Sequence, residues 1–199
     1  MRPTKDQWAM QLALVTARRA TCLRRAVGCV LLNERGHVIA TGYNGVAAGQ
    51  KHCNELVEKP VYHNDPRVKY DPQAQVWVFN GKETPSFGVR FLTGKGNFQC
   101  VGFEPSHPHA CPGADSPSGT NLDACQAIHA EQNALLQCKD VYSIHTCYVT
   151  ASPCVTCTKL LLNTGCQRIV FVEEYPQPAA KDLWVSSGRQ WSQTSIETT

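Results

Sequence analysis

With 199 residues, 42% of them hydrophobic and 18% charged, the chain is long enough for one domain with a real core and too apolar for a disordered polymer. Its net charge of +3 comes without a basic stripe, which argues against long nucleic acid as a partner and for a small anionic one. No apolar run approaches the ~18 residues that a membrane span needs.

Thr4-Lys5-Asp6-Gln7 has capping-box spacing, and Trp8, Leu12 and Val15 then recur on one face, predicting a helix that ends near Ala20. Val27-Gly28-Cys29-Val30-Leu31-Leu32 is an apolar run suited to a buried strand. Glu34-Arg35-Gly36 turns it into a hairpin with His37-Val38-Ile39-Ala40-Thr41, closed by the glycine-bracketed loop Gly42-Tyr43-Asn44-Gly45. From about residue 56 to 119 the composition shifts to Pro, Gly, Asn and His, with one visible hairpin, Val76-Trp77-Val78-Phe79 turning at Asn80-Gly81. A structureless loop of that length is disfavoured in a compact domain, so the stretch is read as a structured insertion. Regular elements resume with a helix from about Ile128 to Cys138 and a strand at Thr146-Cys147-Tyr148-Val149-Thr150. After the turn Ala151-Ser152-Pro153, a helix runs from Cys154 to Thr164, stopped by Gly165 in a C′ role, and Arg168-Ile169-Val170-Phe171-Val172 is the next strand. Residues 191–199 read as a polar tail, leaving a single domain over 1–190. Strand–helix–strand units with nearly continuous apolar strands imply a parallel portion of sheet covered by helices.

His129-Ala130-Glu131 and Pro153-Cys154-Val155-Thr156-Cys157 carry the chemistry. One imidazole and two thiolates supply three ligands for a tetrahedral Zn²⁺ and leave the fourth position open for water, whereas a closed structural site needs a fourth protein ligand. Zinc bound in this way lowers the pKa of its water from about 15.7 toward 7. Glu131 is then the candidate acid–base group, taking that proton and passing it to a ring nitrogen and a leaving amine. Both motifs fall at predicted helix starts, where the dipole favours thiolate. Either half alone also fits a structural zinc knuckle or core cysteines.

The pair of motifs is the signature of the zinc nucleobase deaminases. Arg24-Arg25-Ala26-Val27-Gly28-Cys29-Val30, Gly42-Tyr43-Asn44-Gly45, His129-Ala130-Glu131-Gln132-Asn133-Ala134-Leu135, Ser152-Pro153-Cys154 and Glu174-Tyr175 narrow the likeness. With them the chain resembles the deoxycytidylate (dCMP) deaminases. The resemblance implies a three-layer α/β/α fold around a five-stranded mixed sheet, and zinc-dependent hydrolysis of dCMP to dUMP and ammonia, which feeds thymidylate synthesis. It implies Asn44 on the sugar, Glu131 on the base, the backbone at Ala130 and Ser152 orienting the pyrimidine, Tyr175 packing beside it, and Arg24 or Arg25 on the 5′-phosphate. A guanidinium fork suits a phosphate monoester. Arg24-Arg25 reads equally as a solvated helix end, Asn44 as a turn residue chosen for its conformation, and Tyr175 as a core or interface aromatic. The resemblance further implies a homo-oligomer (a hexamer) and dCTP and dTTP as effectors, with Mg²⁺ accompanying the nucleotide. Here the chain departs from the family, whose loop continues Gly-Tyr-Asn-Gly-x-Pro-x-Gly: Val46-Ala47-Ala48-Gly49 lacks the proline.

Eleven cysteines would suggest disulfides in a secreted chain, but Met1-Arg2-Pro3-Thr4-Lys5-Asp6 does not resemble a leader peptide, so a reducing cytosol is expected. Cys22, Cys53, Cys111 and Cys125, with His52, His107 and His109 nearby, are candidates for a second, structural zinc that would tie the insertion to the core. Free cysteines also serve as small buried hydrophobes, the reading given to Cys29, Cys147 and Cys166. Competing functions are deamination of a 5-substituted dCMP, cytidine, guanine, a riboflavin precursor or tRNA adenosine. From another class comes a non-catalytic zinc module, against which Glu131 argues.

Overall fold

The computed structural model describes residues 2–55, 59–62, 68–71, 73, 76–79, 82–83, 90–94, 97–102, 111–114, 116–121 and 124–195. They fall into two compact units, Met1–Glu55 with Ala110–Thr199, and Leu56–His109. The predicted insertion therefore divides: its last residues, 110–119, belong to the first unit.

In chain order the elements are α1 (Lys5–Ala17), β1 (Gly28–Asn33), β2 (Val38–Tyr43), β3 (Gly45–Val46), β4 (Lys59–Tyr62), β5 (Val68–Asp71), β6 (Val76–Phe79), β7 (Lys82–Glu83), β8 (Arg90–Gly94) and β9 (Asn97–Gly102). β10 (Ala127–Ile128), α2 (Ala130–Gln137), β11 (Ile144–Ala151), α3 (Val155–Leu162), β12 (Arg168–Glu173), α4 (Pro178–Val185) and β13 (Gln190–Gln193) follow. The second unit holds two antiparallel three-stranded sheets, β4-β9-β8 and β5-β6-β7. The expected hairpin is β6–β7, with Val78 opposite Glu83 and Phe79 opposite Lys82; its turn at Asn80-Gly81 lies outside the described residues, as do His107 and His109.

The first unit is built on one mixed sheet in the order β13-β12-β11-β1-β2. β1 runs antiparallel to β2 and β11, while β11, β12 and β13 are mutually parallel. Alternate residues of the central strands enter different cores, which gives the three layers. Val30, Leu32, Tyr148 and Val170 pack under α1 with Ala9, Met10 and Ala13. Cys29, Leu31, Cys147, Val149, Ile169 and Phe171 pack on the other face with Ala130 and Ala134 of α2, Leu161 of α3 and Trp184 of α4.

α1 has the expected capping box, Gln7 N–H donating to Thr4 Oγ1 (3.2 Å) and Thr4 N–H to Gln7 Oε1 (2.9 Å). Its buried face is not the predicted one. Ala9, Met10, Ala13 and Ala17 are inside, while Trp8 and Val15 are 37% and 60% exposed. The helix stops at Ala17, short of Ala20, through turn bonds from Arg18, Arg19 and Ala20. α3 ends at Leu162, and Gly165 is not a left-handed C′ residue; its α-hydrogens lie against the Tyr142 carbonyl, where a Cβ has no room. The tail assignment from 191 is also corrected: Gln190–Gln193 is a parallel edge strand. Trp184 Nε1 donating to Gln190 O (3.0 Å) and the Trp191 ring packing on Phe171 (5.3 Å) hold it in place. α4, unassigned from the sequence, starts with Pro178 at its first position and is followed by Gly188 at φ +78°.

Asp6, in the first turn of α1, clamps that helix to two strands. Arg168 Nη1 and Nη2 donate to its two carboxylate oxygens (2.9 and 2.7 Å), and Tyr148 Oη donates to Oδ1 (2.6 Å). The Arg168 hydrogen bonds, outweighing partial burial, hold the Asp6 carboxyl below its usual 3.8. A depressed folded-state pKa stabilises above the unfolded value and is lost as pH falls through the folded one. Asp6→Asn should therefore cost about 1–2 kcal/mol near pH 7, the partial exposure of both partners trimming the value of a charged bidentate pair. Denaturant midpoints should show that gap closing below pH ~4; a gap that persists at pH 2–3 would mean the carboxylate charge is not what stabilises.

Candidate active site

Two helix N-termini meet at one end of the sheet. His129 is the N-cap of α2, and its own N–H donates to Gln132 Oε1 (2.9 Å). Cys154 is the N-cap of α3, its Sγ accepting the Cys157 N–H (3.5 Å), a thiolate in the place usually taken by a serine or threonine oxygen. The chain enters α2 through β10, which pairs with β3 (Ile128 opposite Gly45), and Asn133 Nδ2 donates to the Tyr43 carbonyl (2.7 Å). Gly42 completes the fit: a Cβ there would strike the Ala130 carbonyl and the Ala134 nitrogen, so only glycine lets α2 lie so close on β2. Ser152 N–H donates to Glu173 O (2.8 Å), fixing the three-residue path from β11 to α3.

This brings His129 Nδ1 to 3.4 Å from both Cys154 Sγ and Cys157 Sγ. Tetrahedral zinc with N and S ligands at ~2.0 and ~2.3 Å separates those donors by about 3.5 Å, so the set fits Zn²⁺. Among the described residues these three alone bring their ligand atoms within 4.8 Å of one another. Without a cation the protons are shared unequally. The hydrogen bond from Cys157, with His129 beside it, lowers Cys154 to about 4, and Cys157 is driven up by the neighbouring thiolate and by burial. His129 is raised by its bond to Cys154. Glu131, in the first turn of α2 and 4% exposed, is pushed up by burial to about 7.

His129, Glu131 and Cys154 open into a cleft of about 550 Å³, including its solvent-filled mouth, lined also by Asn44, Ala130, Ser152, Tyr175, Arg24 and Arg25. Every residue expected at a substrate site thus lies on one cavity, but with differing commitments. Asn44 is 7% exposed; its Oδ1 accepts the Val27 N–H (2.8 Å) and its Nδ2 donates to Arg25 O (2.7 Å), so it holds the 25–27 segment. Ser152 Oγ accepts the Tyr175 N–H (2.8 Å). Arg25 lies 5.7 Å over the Tyr175 ring and 3.4 Å from Glu173 Oε2, its Nη1 buried without a hydrogen bond. Arg24 is instead engaged by carbonyls at Thr120 (2.7 Å) and Pro117 (3.4 Å). Ser118 and Gly119 line the same cleft, which the sequence did not signal, because only folding brings them to Arg24.

Cys22, Cys53, Cys111 and Cys125 all lie in the first unit. Cys53 and Cys111 are buried, and Cys111, Cys22 and Cys125 are all close enough to act electrostatically on the Cys53 thiol. Burial pushes the Cys53 thiol up to about 12. Cys29 and Cys147 are wholly buried with their sulfurs 3.6 Å apart, and Cys166 is buried beside them, as packing residues. Cys138 caps α2 and donates to Asp140 O (3.3 Å).

A family model for the cytidine and deoxycytidylate deaminase zinc-binding region matches residues 3–173. The chain is similar to the deoxycytidylate deaminase of Mycobacterium phage D29, 30% identical over 176 residues covering 87% of this chain and 98% of that protein. It is 29% identical to the deoxycytidylate deaminase of Saccharomyces cerevisiae over 88% of this chain and 39% of the yeast protein. The Schizosaccharomyces pombe protein of the same name is also 29% identical, over 87% and 38%. The chain thus spans about two fifths of the length of these two fungal relatives. In fold it is similar to the dCMP deaminase of cyanophage S-TIM5 solved with dCMP and dUMP, with a TM-score of 0.57 at 18% identity over 98% of this chain and 99% of that one. The chain belongs to the cytidine and deoxycytidylate deaminase zinc-binding family.

Proposed function

We propose that the chain is an enzyme that hydrolyses dCMP, with water, to dUMP and ammonia. The observation that carries this is a buried carboxyl, Glu131, two residues from a His/Cys/Cys triad, in a cleft that also presents an arginine fork. The phage relative, matched over nearly its whole length, and the cyanophage structure with dCMP and dUMP support it.

In this reading His129, Cys154 and Cys157 hold Zn²⁺, which supplies Lewis acidity when bound and brings the pKa of a water toward 7. Glu131 holds and moves protons twice: its carboxylate accepts the first from the water and returns it to the ring nitrogen, then accepts the second from the hydroxyl added to the ring and returns it to the departing amine. In the metal-free chain burial holds its carboxyl up at about 7, and a group that must both accept and donate works best with a pKa near the pH at which it acts. Asn44 faces the sugar, the backbone at Ala130 and Ser152 orients the pyrimidine, and Tyr175 packs beside it. Of the two arginines, Arg25 is the better phosphate ligand, since its fork is committed to no carbonyl and makes only a loose ion pair with Glu173.

A second, structural zinc on Cys22, Cys53, Cys111 and Cys125 rests on family resemblance; Cys53 and Cys111 are neighbours, but no three of the four sulfurs lie within 4.8 Å of one another. That the ten described cysteines are all free supports a reducing, cytosolic setting. A homo-oligomer, with a hexamer as the expected form, rests on family resemblance. Effectors of the dCTP and dTTP kind, with Mg²⁺, rest on family resemblance alone.

Glu131→Gln should keep zinc and fold while lowering kcat by at least ~10²-fold, because the amide preserves shape but cannot shuttle a proton. Near-native turnover would remove Glu131 from the chemistry. Ammonia release from dCMP, 5-methyl-dCMP, CMP and deoxycytidine should favour dCMP, and Arg25→Ala should erode its advantage over deoxycytidine by about ten-fold. Equal use of nucleotide and nucleoside by the native protein would defeat the dCMP assignment. Metal analysis should find two zinc ions per chain, one of them lost in Cys53→Ser together with stability; one zinc in the native protein refutes the second site.

A further inference from the structure

One wall of the cleft is a turn that the deamination chemistry does not use. The Thr120 N–H and Oγ1 both donate to the Pro117 carbonyl (3.1 and 2.8 Å), and Gly119, third in the turn, has φ +88°. That is the type II pattern, whose third position needs positive φ and hence favours glycine. A Cβ on Gly119 would lie 3.2 Å from Pro176 Cγ and 3.6 Å from Tyr175 Oη, so the turn is seated on the Tyr175-Pro176 pair with no room to spare. Tyr175 in turn is tied to Ser152, two residues before a metal-ligating cysteine. Arg24 Nη1 donates to the carbonyls of Thr120 and Pro117 (2.7 and 3.4 Å), the two ends of the turn. Ser118 and Gly119, between those ends, face the cleft.

One nitrogen of the Arg24 guanidinium, bridging both ends of the turn, fixes where the wall stands. We propose that Arg24 is a positioning residue that acts through the Pro117-Ser118-Gly119-Thr120 turn. It sets the width of the cleft where the nucleoside part of the substrate lies, with Gly119 as the size-determining position. Arg25, by contrast, serves the phosphate. The inference rests on the dCMP reading above, and it separates two adjacent arginines that the sequence presents as equivalents.

The test compares kcat and KM for dCMP and deoxycytidine in the native protein, Arg24→Ala, Arg24→Lys, Gly119→Ala and Arg25→Ala. Arg24→Ala should lower kcat/KM about five- to ten-fold for both substrates alike, carried by KM, with Arg24→Lys recovering much of the loss because an ammonium can still reach a carbonyl. Gly119→Ala should reproduce the common loss, and it carries the comparison if Arg24→Ala does not fold. A loss confined to dCMP makes Arg24 a phosphate ligand and overturns the proposal. So does an unchanged kcat/KM, or a loss carried by kcat alone. If the native protein turns over neither substrate, the dCMP reading fails by itself, and hydrogen exchange then decides the positioning role. Arg24→Ala must speed exchange at Thr120 N–H while leaving β11 unchanged; equal rates at Thr120 refute it.

Discussion

Three donor atoms from two helices must stand about 3.4 Å apart for this site to exist, although 25 residues of chain separate His129 from Cys154. The fold meets that requirement by giving both helices the same kind of beginning. Each starts directly after a strand or a short connection from one, β10 for α2 and β11 for α3, and each uses a candidate ligand as its own N-cap. The orphan N–H groups of the first turns then point at the metal position, and the aligned peptide dipoles favour thiolate there. Displacing either helix by an ångström would separate the donors, so the packing beneath them is under tight constraint. Gly42 under α2, the β3–β10 bridge and the Asn133–Tyr43 bond all serve that placement.

The electrostatics explain why a cation belongs there. Two thiols, an imidazole and a carboxyl are packed together with little water. In the metal-free chain they can lower their mutual repulsion only by keeping protons, with Cys157 and Glu131 both driven up. A divalent ion resolves the conflict by taking both sulfurs as thiolates, so metal uptake is coupled to proton release. In the metal-free chain the same burial that makes Glu131 a costly anion holds its carboxyl up at about 7.

Much of this was legible in the chain. The spacing of His129, Glu131, Cys154 and Cys157 revealed the ligand set and the helix starts, because those motifs are local. The parallel portion of the sheet followed from the apolar runs of β11 and β12 with a helix between them. What escaped has physical reasons. The inner face of α1 was misassigned because large apolar residues usually mark burial, yet here close approach to the sheet requires the methyl side chains of Ala9, Ala13 and Ala17. β13 was read as tail because its residues are mostly polar; a parallel ladder and two tryptophans place it, and neither is a property of the segment itself. The contact between Arg24 and the turn at Thr120 spans 96 residues, a separation no local pattern encodes.

The position of β13 at the rim of the sheet has a consequence for handling the protein. β12, its neighbour, carries Ile169, Val170 and Phe171, all essentially buried. A chain trimmed before Gln190 would leave that apolar strand as the new border, with a row of unpaired backbone groups open to other molecules. Such a border is a template for edge-to-edge association. The polar strand at the end of the fold therefore acts as a hem: its own contacts are modest, but it keeps the most adhesive strand of the sheet from meeting its like.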